Sequence, residues 1–427
     1  MMKRFLFILV IPVVLIFIIN LVIYEDVPES IRDAQRAEIE RYGTIVKSIS
    51  ITDTYYDDLQ ILDSVLVGNR VLMLGENVHH DGQTFKAKGR LIKYLHENMG
   101  YHVVLYEAGQ FDTWWMNKEM NERENPQVSD DSIGGIGLFD FWWANQESKP
   151  LIDYYLKTKS TVIPIEIGGF DIQFSGRVMT TRRVQLLKDF FVKNGINLES
   201  YPTFNTYLPE LHLLLYKAYA DKRLDDEQKA HFLDEITRLG QVTSTLGKSE
   251  ENTIYARSLN DMRNNFFKSW KYESGSMASM HFRDSLMAKN LIYQIDSVYT
   301  DQKVIVWCAN IHTFASRYSN DYLPMGTYIK KKYGKSSYML NFSSYARYSN
   351  GNKIVDKPSK LAVENAFHAT GFPYFFINLK SLPQSSFLKH DFVSTINQGI
   401  AQKRVWSDFI DGIFYIDINR NPTYLEK

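Results

Sequence analysis

The chain has a single cysteine, Cys308, in 427 residues. No intrachain disulfide and no thiol cluster for a metal can form, and an oxidising compartment would leave the chain unaffected. Charge of either sign is not in excess: Lys plus Arg and Asp plus Glu each number 49. That balance removes the electrostatic signature of a nucleic-acid partner, so any ligand must be recognised locally. The chain also lacks a Gly-x-Ser-x-Gly elbow, a His-Glu-x-x-His pair and a Walker loop. Gly134-Gly-Ile-Gly137 has no third spaced glycine and follows no strand, so it reads as a loop. A hydrolase built from this chain must therefore activate water directly with an imidazole or carboxylate, without an acyl-serine. No internal repeat or low-complexity tract is present.

The hydrophobic fraction is 44% and the aromatic fraction 14%, enough for a large core. One long apolar run, Phe5 to Tyr24, follows Lys3 and Arg4. Its length of about 20 residues suits a membrane-crossing helix, and the basic pair would stay cytoplasmic. No small-residue cleavage pattern follows it, so the expectation is an uncleaved anchor over residues 1–24, with the remainder facing outward. Residues 25–54 read as a polar linker, helical near Ile31 to Ile45.

From residue 55 onward apolar runs alternate with helical spacing. Arg70 to Leu74, His102 to Glu107 and Thr161 to Ile167 read as buried strands, with a helix from Thr84 to Asn98 carried by Phe85, Leu91, Ile92 and Leu95. Pro164 is awkward inside a central strand. From about 176 to 300 the strand signal disappears and amphipathic stretches take over, including Leu208 to Asp221 and Glu227 to Leu246. Strands resume at Lys303 to Ala309, Ser337 to Phe342, Pro373 to Ile377 and Gly412 to Ile416. The pattern predicts one α/β domain over 55–427: a central, mostly parallel sheet flanked by helices, with a helical insertion covering a cleft at the carboxyl ends of the strands.

Those ends carry the chemistry. The run Val71-Leu-Met-Leu-Gly-Glu-Asn-Val-His-His80 places Glu76, His79 and His80 just past one strand, and Glu107 closes another. Ala309-Asn-Ile-His312 adds a second imidazole on the same edge. Glu76 and His79 lie three apart in a turn, so both reach one cavity. A bland alternative makes Glu76 a helix cap and the histidines solvated. Arg283 is either an anion or carbonyl clamp or a surface partner of Asp284, and Lys88 and Arg90 read from composition as solvated. Two imidazoles and two carboxylates at Glu76, His79, Glu107 and His312 also match a zinc or manganese donor set; no other cofactor is implied. The aromatic clusters Phe111 to Trp115 and Phe139 to Trp143 read as core, or as the rim of a cleft for a large amphipathic ligand.

Together these segments resemble the erythromycin esterase family. The resemblance is carried by Leu74-Gly-Glu-Asn-Val-His79, Lys88-Gly-Arg-Leu91, Tyr106-Glu-Ala108, Gly169-Phe-Asp171, Arg283-Asp284 with Met287-Ala-x-Asn290, Trp307 to His312, and Met325-Gly326. It implies an α/β fold with a helical subdomain over a deep cleft, and water activated by a histidine to open an ester or macrolide lactone with no covalent intermediate. His79 would be the general base, oriented with the water by Glu76 and Glu107. Arg283, His312, Lys88, His80 and Asn310 would bind substrate. The chain departs from the pattern at His80, where the family has glycine, at Gln83, where glutamate is common, and at Ala309, where a histidine stands. A homologue that binds a glycan or amphipathic ligand without turnover is the alternative reading.

Overall fold

The computed structural model describes residues 27–123 and 132–425. Its strands are β1 (Thr44–Ile45), β2 (Val71–Leu74), β3 (Tyr101–Gly109), β4 (Glu166–Asp171), β5 (Lys303–Trp307), β6 (Ser337–Tyr348), β7 (Ile354–Asp356), β8 (Tyr374–Asn378), β9 (Asp391–Asn397), β10 (Ile400–Val405) and β11 (Gly412–Arg420). A nine-stranded sheet runs β1-β8-β11-β6-β2-β5-β3-β4, with β7 attached to β6. The six strands from β11 to β4 are parallel, and β8 runs against them. The expected mostly parallel α/β sheet is therefore present.

Side-chain alternation explains why β2 is apolar throughout. Leu72 and Leu74 face one core with Tyr106, Trp307 and Leu340, while Val71 and Met73 face another with Val103, Val306 and Met287. A strand covered on both faces has no position left for a polar residue. The helix Gly82–Met99 buries Phe85, Leu91, Ile92 and Leu95 on the first face and stops at Gly100, whose φ of 73° is the left-handed cap glycine tolerates.

Between β4 and β5 every regular element is helical, including Asp226–Ser244, Glu250–Lys271 and Met277–Tyr293. The amphipathic stretch Leu208 to Asp221 is helical in short pieces, Leu208–Glu210, Leu211–Leu214 and Lys217–Arg223. β4 starts at Glu166, later than the expected Thr161, because Pro164 offers no N–H and Val162 is 99% exposed. Gly134–Gly137 forms a buried helical turn instead of a loop: a Cβ at Gly134 would lie 2.6 Å from the Trp143 side chain.

Residues 29–50 are built into the domain. The helix Glu29–Tyr42 buries Ile39, and β1 pairs with β8 at the sheet edge. Ile45 is thus in a strand, where a helix was expected. Arg90, expected in solvent, is buried: it grips Asp58 through both carboxylate oxygens at 2.7 and 2.9 Å and donates to the Ser48 and Tyr55 carbonyls. The anchor expected over 1–24 lies outside the described residues; among these, no helix is long and apolar enough to cross a membrane.

Candidate active site

The parallel strands bring their carboxyl ends to one edge. β5 lies between β2 and β3, although it follows both in the chain, so the loops after β2 and β5 face the end of β3 across a reversal in strand order. The loop after β2 turns at Gly75, where a Cβ would sit 2.2 Å from the Asn310 amide oxygen. Two groups assemble there.

The first centres on Glu76, which is fully buried. One carboxylate oxygen accepts from His79 Nδ1 at 2.8 Å and from the Trp142 indole at 2.7 Å; the other accepts from Lys88 Nζ at 2.5 Å. Lys88 is as buried as Glu76 and sits 4.4 Å from the centre of the Trp307 ring. Burial alone would raise the Glu76 carboxyl, but Lys88 and His79 outweigh it and hold it below its ordinary range. Glu76 therefore caps no helix; it is the counter-ion of Lys88 and the acceptor that holds His79. Burial pushes Lys88 down, against the pull of Glu76.

The second centres on Glu107. Arg283 Nη2 donates to it at 2.7 Å, His312 Nε2 stands 3.2 Å away, and the Ala309 N–H donates to its other oxygen at 3.0 Å. Burial opposes its charge, yet His312 and Arg283 hold its carboxyl well below the usual range. Arg283 also clasps Asp171 through Nε and Nη2 at 3.1 and 2.5 Å. His312 Nδ1 is bonded to Asp284, which also accepts from the Tyr322 hydroxyl and the Met325 N–H. Against burial, Asp284 and Glu107 raise His312 to about 10, so it is an imidazolium at neutral pH. Arg283 Nη1 and His312 Nε2, 3.5 Å apart, are both donors, and the Glu107 carboxylate between them offsets their repulsion.

His79 belongs to both groups. Its ring stacks on Phe141 at 4.9 Å and meets the edge of Trp142 at 5.3 Å. Its side chain is 34% exposed, against 17% for Arg283 and 5% or less for Glu76, Lys88, Glu107 and His312. Burial lowers its pKa, but the Glu76 bond and the Glu107 field outweigh this and raise it. The charge inventory gives the reason. Glu76, Glu107, Asp171 and Asp284 face Lys88, Arg283 and His312, so a proton on His79 completes neutrality. With Glu76 accepting at Nδ1, the neutral ring keeps its hydrogen there and its lone pair on Nε2.

Lys88 contacts Glu76, and Asn310 gives its amide to the Phe342 and Ile396 carbonyls, latching β6 to the β9–β10 hairpin. His80 turns outward to the Tyr424 hydroxyl at 3.0 Å. Among the described residues no group of three or more His, Cys, Asp or Glu is arranged to hold a metal ion. The donor chemistry agrees, because Lys88 and Arg283 occupy the carboxylates a cation would need. The bland alternative for Arg283, a surface pair with Asp284, does not form, because adjacent side chains on a helix diverge; Asp284 serves His312 instead. Trp142 as a donor to Glu76 carried no signal beyond its aromatic cluster.

The chain matches the sequence model of erythromycin esterase over residues 96–408, well over half its length. The chain belongs to the erythromycin esterase family. Among curated relatives, erythromycin esterase type II of Escherichia coli is 22% identical over 412 residues, spanning 86% of this chain and 93% of that one. YbfO of Bacillus subtilis (strain 168), a protein named as a hydrolase, is 23% identical over 367 residues, 80% of each chain. A succinoglycan biosynthesis protein superposes with a TM-score of 0.72 at 16% identity over 94% of this chain and 100% of its own. An erythromycin esterase variant in its open conformation gives 0.66 at 14% identity over 90% and 100%. These superpositions show that the erythromycin esterase fold is shared.

Proposed function

We propose that this erythromycin esterase family member hydrolyses a carboxylic ester or lactone by general-base activation of water at His79, with no covalent intermediate. The observation that carries the reading is the Glu76–His79 bond: it fixes Nδ1–H and leaves Nε2, on the most exposed ionisable group of the site, to take a proton from water. Arg283, the second most exposed, stands with Glu107 and His312 at the same strand ends and supplies a cation for the developing oxyanion. Lys88 and Trp142 hold Glu76, and Asp284, itself fixed by Tyr322, holds His312 with Glu107, so the reacting groups are positioned before substrate arrives. Phe141, stacked on His79, gives an amphipathic substrate such as a macrolide an apolar surface.

The test is turnover of activated esters and macrolide lactones by the protein beside His79→Ala. Loss of hydrolysis in the variant supports the reading, and hydrolysis that survives it sinks the idea. A second reading, a binding homologue without turnover, is favoured by Ala309, which gives Glu107 only a backbone N–H where the family has a histidine. It is refuted by any His79-dependent turnover. We further propose that the run Phe5 to Tyr24 anchors the domain outside the cytoplasm. Protease digestion of intact cells would degrade the domain if so, and leave it whole if not.

A further inference from the structure

On the outer side of β4, away from the groups above, a cavity of about 450 Å³ opens between the helices Gln110–Asn121 and Glu250–Lys271. Its inner wall carries Arg257, a half-buried cation with an unusual set of partners. Nε donates to the Gln110 amide oxygen at 3.2 Å, Nη2 to the Asn290 amide oxygen at 2.9 Å, and the guanidinium lies 3.6 Å from the centre of the Tyr293 ring. Among the described residues no carboxylate stands within ion-pair distance of it. Asp261, which acts on it electrostatically, is occupied by donors from Gln110 and Asn290 at 2.5 and 3.1 Å. A guanidinium whose direct hydrogen bonds go only to neutral amides, with Asp261 acting on it from beyond ion-pair distance, has room for an anion of its own.

The rest of the cavity is suited to a saccharide. Trp114 lines the far end, its indole fixed by Glu250 at 2.6 Å. Gln294 and Ser297 come from a wide turn, Gln294–Val298, closed by a five-residue hydrogen bond from the Tyr299 N–H to the Gln294 carbonyl. Such turns recur at functional sites because they push side chains out of the helical path. Asn117 and Glu166, bonded to each other at 2.6 Å, add planar polar groups, and Lys159 donates to both, at 2.9 and 3.4 Å. Glu250 and Arg257 are seven residues apart on one helix, about 10 Å along its axis, so the wall between them has the length of a disaccharide.

We propose that this cavity is a second ligand site that binds an acidic saccharide, its carboxylate on Arg257 and a sugar ring against Trp114. Planar amides and carboxylates pair with adjacent hydroxyls, the indole covers the apolar face of a ring, and the guanidinium takes the uronate through two parallel bonds. The site does not rest on the hydrolytic reading, since none of its lining residues is hydrogen-bonded to Glu76, His79, Glu107, Arg283 or His312.

The experiment is calorimetric titration of the full chain with digalacturonate and with a hyaluronan disaccharide, galactobiose serving as the neutral control. Binding of an acidic probe at least roughly tenfold tighter than galactobiose is expected. Arg257→Gln should erase that preference, Ser297→Trp should block the cavity from its rim, and His79→Ala should leave binding unchanged. The proposal is overturned if neither acidic probe binds at millimolar concentration. It is equally overturned if binding survives both Arg257→Gln and Ser297→Trp, if it disappears in His79→Ala, or if glutarate, an anion without a sugar, binds as tightly.

Discussion

Replacing Glu76 by glutamine tests the centre of the argument, because one atom changes and three bonds must answer. The carboxylate accepts from His79, Trp142 and Lys88 and donates nothing. A glutamine can face them in two ways. With its oxygen toward His79 and Trp142, its NH2 opposes the Lys88 ammonium, which loses its buried counter-ion at a cost of about 3–5 kcal/mol. With its NH2 toward His79, it donates to Nδ1, the ring hydrogen moves to Nε2, and the lone pair needed for water is lost. The second arrangement spares Lys88 part of that cost, since the amide oxygen still accepts from it. An acid-to-amide change behind a catalytic imidazole lowers kcat by on the order of 10^3–10^4. The pH profile supplies an independent sign. The bond from Glu76 and the field of Glu107 raise His79 above the ordinary imidazole range; activity should climb as pH rises through that raised value, and in Glu76→Gln the residual climb should move to lower pH. Initial rates across pH 5–9 on the best ester of the panel read both effects. A variant with wild-type plateau and an unmoved limb would refute the general-base assignment.

Arg283→Met leaves Glu107 and Asp171 buried with one cation fewer, so urea unfolding should show a loss of about 3–5 kcal/mol along with the loss of activity. His312 is raised to about 10 from 6.5, so its contribution is fully present below pH 6.5 and declines as pH rises toward 10; the wild-type melting temperature should fall over that window, and His312→Asn should flatten the fall. Asp81 is raised to about 7, chiefly by burial, so its ionisation weakens the fold as pH climbs from about 4 to 7. Asp81→Asn keeps an acceptor for the Val78 N–H and should be more stable than wild type at pH 8, with little difference at pH 4, by urea midpoints.

The sheet was legible because β2, β3, β5 and β6 are short apolar runs with polar ends, a pattern that few other structures produce. Where one residue disrupted the pattern, as Pro164 does, the boundary moved. The hairpin β9–β10 was missed because Ile400, Gln402 and Arg404 mix polar and apolar positions with no buried face to mark them. Within the site, ionisable residues at strand ends were visible, but their partners were not. Lys88 and Arg90 look like ordinary helix-surface residues in sequence; burial follows only once Glu76 and Asp58 arrive from other segments. Asp284 was visible only as one alternative partner for its neighbour Arg283, whereas helix geometry sends it to His312.

The position of β5 fixes the order in which this protein can be completed. During synthesis β2 and β3 emerge early, yet they never pair with each other; the slot between them stays open until the helices Met179–Tyr293 have been made and Lys303–Trp307 follows. Until then two apolar strands present unpaired edges, a template for wrong pairing and aggregation. His312 arrives with β5, so closing the sheet and completing the cluster around Glu107 are one event, and a ribosome-bound fragment ending before residue 303 has neither.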